Sequence, residues 1–201
     1  MKKEDLRKLY DPDFHKSLGI ELKWRIGDRA GQGKNVIYPY YSADQCREIL
    51  DNVCGVDWYN EYREVNNKLF CTIGIYVDGE LRERSNAGGP RRPRKGLAEE
   101  DKDAFIAKTA ASSAFVRTAE SWGIGRHIKL LPQVVLPTNG NFAVNPQTGE
   151  TMTEDELAAY CNQITLPEGY LYSVYRLRKD LFDKNPKAME LMKELKELLT
   201  K

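Results

Sequence analysis

The chain has 201 residues, 41% of them hydrophobic, with 31 basic against 30 acidic side chains and a formal charge of +1. That apolar fraction supports a true core and excludes a chain disordered throughout. A charge balance this even makes no case for a nucleic-acid partner, which only local clustering of cations could make.

Ile20, Leu22, Trp24 and Ile26 alternate with Glu21, Lys23 and Arg25, the period-two pattern of a half-buried strand. A Gly-rich loop, GDRAGQGKN, leads to VIYPYY, where Pro39 predicts an edge position or a strand end. Ser42 to Gln45 reads SADQ, a capping box in which the hydroxyl and the amide each satisfy a free backbone N–H. Cys46, Ile49, Leu50 and Val53 then follow at helical spacing, and Gly55 stops the helix.

Three short strands come next. The first, Trp58 to Val65, ends at Asn66-Asn67; the second, Leu69 to Val77, ends at Asp78-Gly79, a pair suited to a type I′ turn. The third, Glu80 to Ala87, is polar enough to predict an exposed or edge strand. After the interruption GGPRRPRKG, a long helix starts near Glu99. Its small-residue stripe of Ala104, Ala107, Ala111, Ala114, Thr118 and Trp122 predicts close packing on a sheet. Arg117 falls on the neighbouring face with Ile106, Ala110 and Ser113.

Beyond Pro132 the segment LPTNGNFAVNPQTGE is turn-rich, TEDE (Thr153 to Glu156) caps another helix and YLYSVYRL reads as a strand. Asn185-Pro186 opens a final amphipathic helix carrying Met189, Met192, Leu195 and Leu199 on one side. The order predicts an α+β fold. An antiparallel β-β-β-α core is preceded by a strand pair and a helix, and residues 133–201 extend a first domain of residues 1–132.

Chemistry by familiar motifs finds little support. Lys34 in GQGKN invites a phosphate-loop reading, but that motif needs Gly and Ser or Thr where the chain has Asp28 and Asn35. His15 and His127 are the two histidines, far apart and without partners at metal-ligand spacing, which argues against zinc. Cys46, Cys54, Cys71 and Cys161 form no CxxC pair and are best read as small buried hydrophobes, reduced in a cytosolic-type compartment. Met1 to Lys8 lacks an apolar signal region, and no run nears the ~18 residues of a membrane span. The expectation is a protein that binds, with no enzymatic activity, cofactor, metal or membrane association.

Two basic groups remain. Arg91, Arg92, Arg94 and Lys95 crowd one Gly/Pro loop, and Arg25, Lys34, Tyr38, Tyr40 and Tyr41 mix cations with aromatic rings. Cations can neutralise phosphates while rings meet bases or sugars. Solvated loop residues and half-buried sheet tyrosines are the plain alternatives.

The stretches VIYPYYSADQCREILDNVCGVDWYNEY, CTIGIYVDGELRERSNAGG and above all KTAASSAFVRTAESWGIGRHI resemble the Rad-fifty-two/Rad-twenty-two family of single-strand annealing proteins, which has phage members. The resemblance covers Ile20 to about Pro132. It implies an ATP-independent protein that binds single-stranded DNA in a basic groove and anneals complementary strands in homologous recombination and double-strand break repair. It also implies a large ring or helical homo-oligomer, and a single-strand binding protein or recombination exonuclease as partner. Location would be cytoplasmic or nucleoid-associated in a bacterium or phage-infected cell, and nuclear in a eukaryote. A general coating module for single-stranded DNA or RNA, without annealing, is the alternative.

By the same resemblance, Arg25 matches a backbone-contacting arginine at the end of the first strand and Tyr38 a groove tyrosine. Arg117 matches the second of two phosphate-gripping basic residues on the long helix. The first of that pair is Val116 here, and a further basic position is Glu120. Lys34 and Arg126 complete the expected DNA-binding set, with Arg91, Arg92, Arg94 and Lys95 as a secondary contact.

Overall fold

The computed structural model of the chain describes residues 1–31, 33–90, 93, 96, 98–131 and 134–164. In chain order these form a 3-10 segment Lys3–Tyr10, α1 (Pro12–Ser17), β1 (Lys23–Gly31), β2 (Lys34–Tyr40), α2 (Ala43–Cys54), β3 (Trp58–Val65), β4 (Lys68–Val77) and β5 (Glu80–Ala87). There follow α3 (Glu99–Ser121), a 3-10 turn Arg126–Leu130, β6 (Val134–Asn139), β7 (Phe142–Ala143) and α4 (Glu154–Ile164). The fold is α+β with antiparallel sheets, as the alternation and turn signals predict. The basic loop residues Arg91, Arg92, Arg94 and Lys95, the expected strand YLYSVYRL and the final amphipathic helix lie outside the described residues.

The chain divides into two units. Met1–Glu21 and Tyr41–Lys129 make the first, and Leu22–Tyr40 with the chain from Leu130 onward make the second. This differs from the expected division at residue 132. Strands β1 and β2 do not belong with β3 to β5, because β2 pairs with β6, in register from Lys34↔Pro137 to Ile37↔Val134. A two-stranded ribbon leaves a row of unpaired backbone groups on each edge, and β6 satisfies one of them. The turn-rich reading of residues 136–150 is corrected in the same way. Gly140, at φ 61°, turns β6 back into β7, with a further bridge from Val144 to Thr151.

In the first unit, β3, β4 and β5 form an antiparallel meander in that order. Asn66 and Asn67 take φ of 51° and 58°, and Asp78 and Gly79 take 52° and 84°, so both connections adopt the positive φ that a type I′ turn requires. The central strand buries Cys71, Ile73, Ile75 and Val77 on the face that meets α3. Helix α3 answers with Ala110, Ala114, Phe115, Thr118, Ala119 and Trp122. Thr118 and Trp122 also fasten it to β4. The buried Thr118 hydroxyl lies 2.9 Å from the Cys71 carbonyl, and the Trp122 indole N–H donates to the Ile73 carbonyl at 3.1 Å. The indole bond matters because a buried unpaired donor would cost ~1–3 kcal/mol, whereas the Thr118 hydroxyl also has the Ala114 carbonyl of its own helix at 2.8 Å.

The expected helix stripe is corrected at its N-terminal half. Ala104 and Ala107 are exposed, and Ala110, expected on the Arg117 side, is buried. The reason is Gly88. A Cβ there would lie 2.1 Å from the Ala110 carbonyl oxygen, so the chain leaving β5 runs directly against the helix backbone. Helix α2 carries the expected capping box, with both Ser42 and Gln45 bonds formed, and buries Cys46, Ile49, Leu50 and Cys54.

In the second unit, β1 and β2 form a hairpin with register shifts near Arg29, so the expected Gly-rich loop is largely strand. Pro39 lies beyond Ile37, the last β2 residue paired with β6, where its missing N–H breaks no bond of that pairing. Trp24, Ile37, Val134, Leu136, Met152, Leu157 and Cys161 make the core beneath α4. The Trp24 indole N–H donates to Asn162 Oδ1 at 2.7 Å. Thr153 and Glu156 close the predicted capping box at the start of α4.

Candidate nucleic-acid interface

The period of a strand sorts β1 and β2 into two faces. Trp24 and Ile37 turn inward to the core of the second unit. Arg25 pairs across the ladder with Tyr38, and Lys23 with Tyr40, so these four share the opposite face. Lys34 joins them by parity along β2, and Lys23, Arg25 and Lys34 are all exposed. The sequence pattern therefore yields one surface with three cations and two rings.

The side chains on that surface are already arranged. The Arg25 guanidinium sits 5.3 Å from the centroid of the Tyr40 ring, within cation–π range. The Tyr38 ring packs against Gly27, where a Cβ would meet ring carbons at 2.1 and 2.2 Å. Its hydroxyl is 3.4 Å from the Asp28 carboxylate, to which it donates. A glycine at 27 thus leaves the room that the Tyr38 ring occupies. Rings on a sheet face beside cations can stack bases while the cations hold phosphates, and neither contact depends on sequence.

Tyr41 does not belong to this face. It is 5% exposed and lies in the first unit, and burial pushes its phenol up to about 12. There it forms edge contacts with His15 and His127, at centroid distances of 5.6 and 5.7 Å. The two histidines, separated by most of the chain, are 6.2 Å apart. Burial lowers the pKa of both, with the neighbouring His127 adding to the effect on His15. His15 is fully buried; its Nε2 lies 3.1 Å from the Lys8 carbonyl, and Nδ1 on both rings has no hydrogen-bond partner among the described residues. Among the same residues, no group of three or more His, Cys, Asp or Glu is placed to hold a metal ion.

Arg117 and Arg126 belong to the first unit and the Arg25 group to the second. Arg117 is exposed on α3 and makes a marginal 3.5 Å approach to the Ala87 carbonyl at the end of β5. That approach engages one of its five N–H donors and leaves the guanidinium able to receive a phosphate. Arg126 is more committed. Its Nε and Nη2 donate to the Glu120 and Ser121 carbonyls at 3.2 and 3.3 Å, closing the C-terminal end of α3. A cation there also complements the helix dipole. Glu120 is engaged by Lys129.

Sequence reasoning missed Lys23, which the alternation of β1 would have supplied. It also missed Arg82 and Arg84, which share a face by the same period in ELRERSNA. Comparison with family models, with curated proteins and with solved structures finds no match to this chain. Among the described residues, no helix is long and apolar enough to cross a membrane.

Proposed function

We propose that the protein binds single-stranded DNA and anneals complementary strands without nucleotide hydrolysis, as part of recombination or break repair. The observation that carries this reading is the second unit's sheet face, where Lys23, Arg25 and Lys34 flank Tyr38 and Tyr40 with Arg25 poised on a ring. Phosphates held by these cations leave base edges free to test a second strand, and base pairing then supplies the free energy. Arg117, on α3, offers the first unit's phosphate contact.

Self-association into a ring or helical assembly belongs to the same proposal. Both β3 and β5 are outer strands of their sheet, each paired on one side among the described residues. Repeating a modest site around an assembly would raise avidity without new contacts.

The test is direct. Purified protein should bind a fluorescent oligo(dT) with salt-sensitive affinity and speed the pairing of complementary oligonucleotides in the absence of ATP. Mass measurement should report a large homo-oligomer. Tight binding with no acceleration of pairing would leave a coating module in place of an annealing protein. RNA competing as well as DNA would extend that module to both nucleic acids.

A further inference from the structure

A groove of about 570 Å³ in the first unit takes its walls from three separate segments. Lys3 and Tyr10 come from the N-terminal 3-10 segment, Arg82 and Arg84 from β5, and Trp122 and Arg126 from the end of α3 and the turn after it. Glu83 is the one carboxylate lining it among the described residues, and that group accepts a hydrogen bond from the Tyr59 hydroxyl. Four cations thus converge in a protein whose formal charge is +1. A volume of this size suits a small ligand or one unit of a polymer.

The walls are held in place. The Trp122 indole is pinned by its bond to the Ile73 carbonyl, and the Arg84 guanidinium lies 5.0 Å from the ring centroid. Register explains why Arg84 is there. Arg82 and Arg84 pair with Ile75 and Ile73 and so point to the side that α3 covers, but at the sheet's outer strand they are exposed. Arg126 is fixed by two helix carbonyls and keeps three of its five N–H donors. Tyr10 is set against Gly123, where a Cβ would lie 2.9 Å from the tyrosine Cβ, yet 54% of Tyr10 is exposed.

We propose that this groove is a second single-strand contact, which seats a phosphate among Arg82, Arg84 and Arg126 with the adjoining base on the Tyr10 ring. It rests on the strand-binding reading above but uses none of the same residues. The exposed Tyr10 phenol presents a flat face to a base, and guanidinium forks match phosphate oxygens. An acidic peptide would use the charges and leave that face without a partner.

The experiment uses oligo(dT) carrying photoreactive 5-iodouracil, irradiated with the full chain and mapped by mass spectrometry. Crosslinks should reach the peptide containing Tyr10, and should persist in Arg25→Ala. Arg82→Ala/Arg84→Ala should flatten the salt dependence of binding by about 0.7 for each phosphate no longer neutralised. Tyr10→Ala should weaken binding roughly tenfold while Tyr10→Phe retains it, which separates stacking from folding. If wild type binds but gives no Tyr10 crosslink and the double variant keeps its slope, the groove is refuted and the sheet face stands. Failure of wild type to bind any oligonucleotide refutes both. Poly-glutamate displacing the crosslinked strand as well as unlabelled oligo(dT) does would overturn the nucleic-acid assignment in favour of an acidic peptide.

Discussion

Gly27→Ala is the sharpest probe of the sheet face, because it disturbs the site without removing a side chain that could touch DNA. The new Cβ would lie 2.1 Å from the Tyr38 ring, so the ring must retreat by about 1.4 Å to reach the ~3.5 Å of ordinary carbon contact. A ring can do this by rotating about its own side-chain bonds, at ~0.5–1.5 kcal/mol for an off-rotamer position. Against that cost, replacing glycine within a strand removes an entropic penalty of roughly 0.5–1 kcal/mol. The backbone oxygen of Val36, 3.3 Å from the Cβ, needs only a small adjustment. Net stability should therefore change by less than about 1 kcal/mol. Strand affinity should fall much more, since a stacked base is worth ~1–3 kcal/mol. Fluorescence anisotropy with oligo(dT), alongside thermal unfolding, measures both quantities. The double variant Gly27→Ala/Tyr38→Ala should bind no worse than Tyr38→Ala alone, because both changes remove one interaction. Wild-type affinity in Gly27→Ala, or additive losses in the double variant, would refute Tyr38 as a stacking platform.

Arg117→Ala should cost ~1–3 kcal/mol of oligonucleotide binding, equally for different sequences, with Arg117→Lys restoring part of it. Its stability change should stay within about 0.5 kcal/mol in thermal unfolding, since its approach to the Ala87 carbonyl is marginal. Gly88→Ala should destabilise by ~1–3 kcal/mol in chemical unfolding, because the Cβ meets helix backbone that cannot rotate aside. His15 and His127 are held below their ordinary value of 6.5, so the fold favours their neutral forms. Their contribution is whole above that value and is lost as pH falls below it, and His15→Gln/His127→Gln should show a shallower fall in Tm between about pH 7.5 and 5.5.

Local signals carried much of the fold. Asn66-Asn67 and Asp78-Gly79 announce their turns because few residues accept positive φ, and Ser42 to Gln45 announces a helix because each capping bond lies within four residues. The partner of β2 was not legible. Residues 134–139 include a proline and sit among turn formers, and their strand state comes from the edge they complete. The same limit hid the His15, Tyr41 and His127 cluster, which only tertiary folding assembles. At the candidate site, Arg25 and Tyr38 were legible by alternation, whereas Tyr41, next in the chain to Tyr40, does not join the basic and aromatic group expected there. Strand period ends with β2 at Tyr40, an end that Pro39 signals without fixing its last residue.

Charge placement gives the decisive distinction between a phosphate-binding surface and an ordinary solvated one. At a formal charge of +1, long-range attraction to DNA is weak, so affinity must come from contacts at short range. Lys23, Arg25 and Lys34 cluster on one face, and Asp28, the acid beside Tyr38, already accepts from that ring's hydroxyl. Arg47 belongs to the first unit, where it pairs with Asp44 at 3.2 Å and covers Phe115 at 4.3 Å. If the sheet-face cations bind phosphate, each should contribute about 0.7 to the salt slope of single-strand binding. Arg47→Gln should leave that slope as it is. A slope that falls equally in Arg47→Gln and Arg25→Gln would mean that binding follows overall charge and that the sheet face has no special part in it.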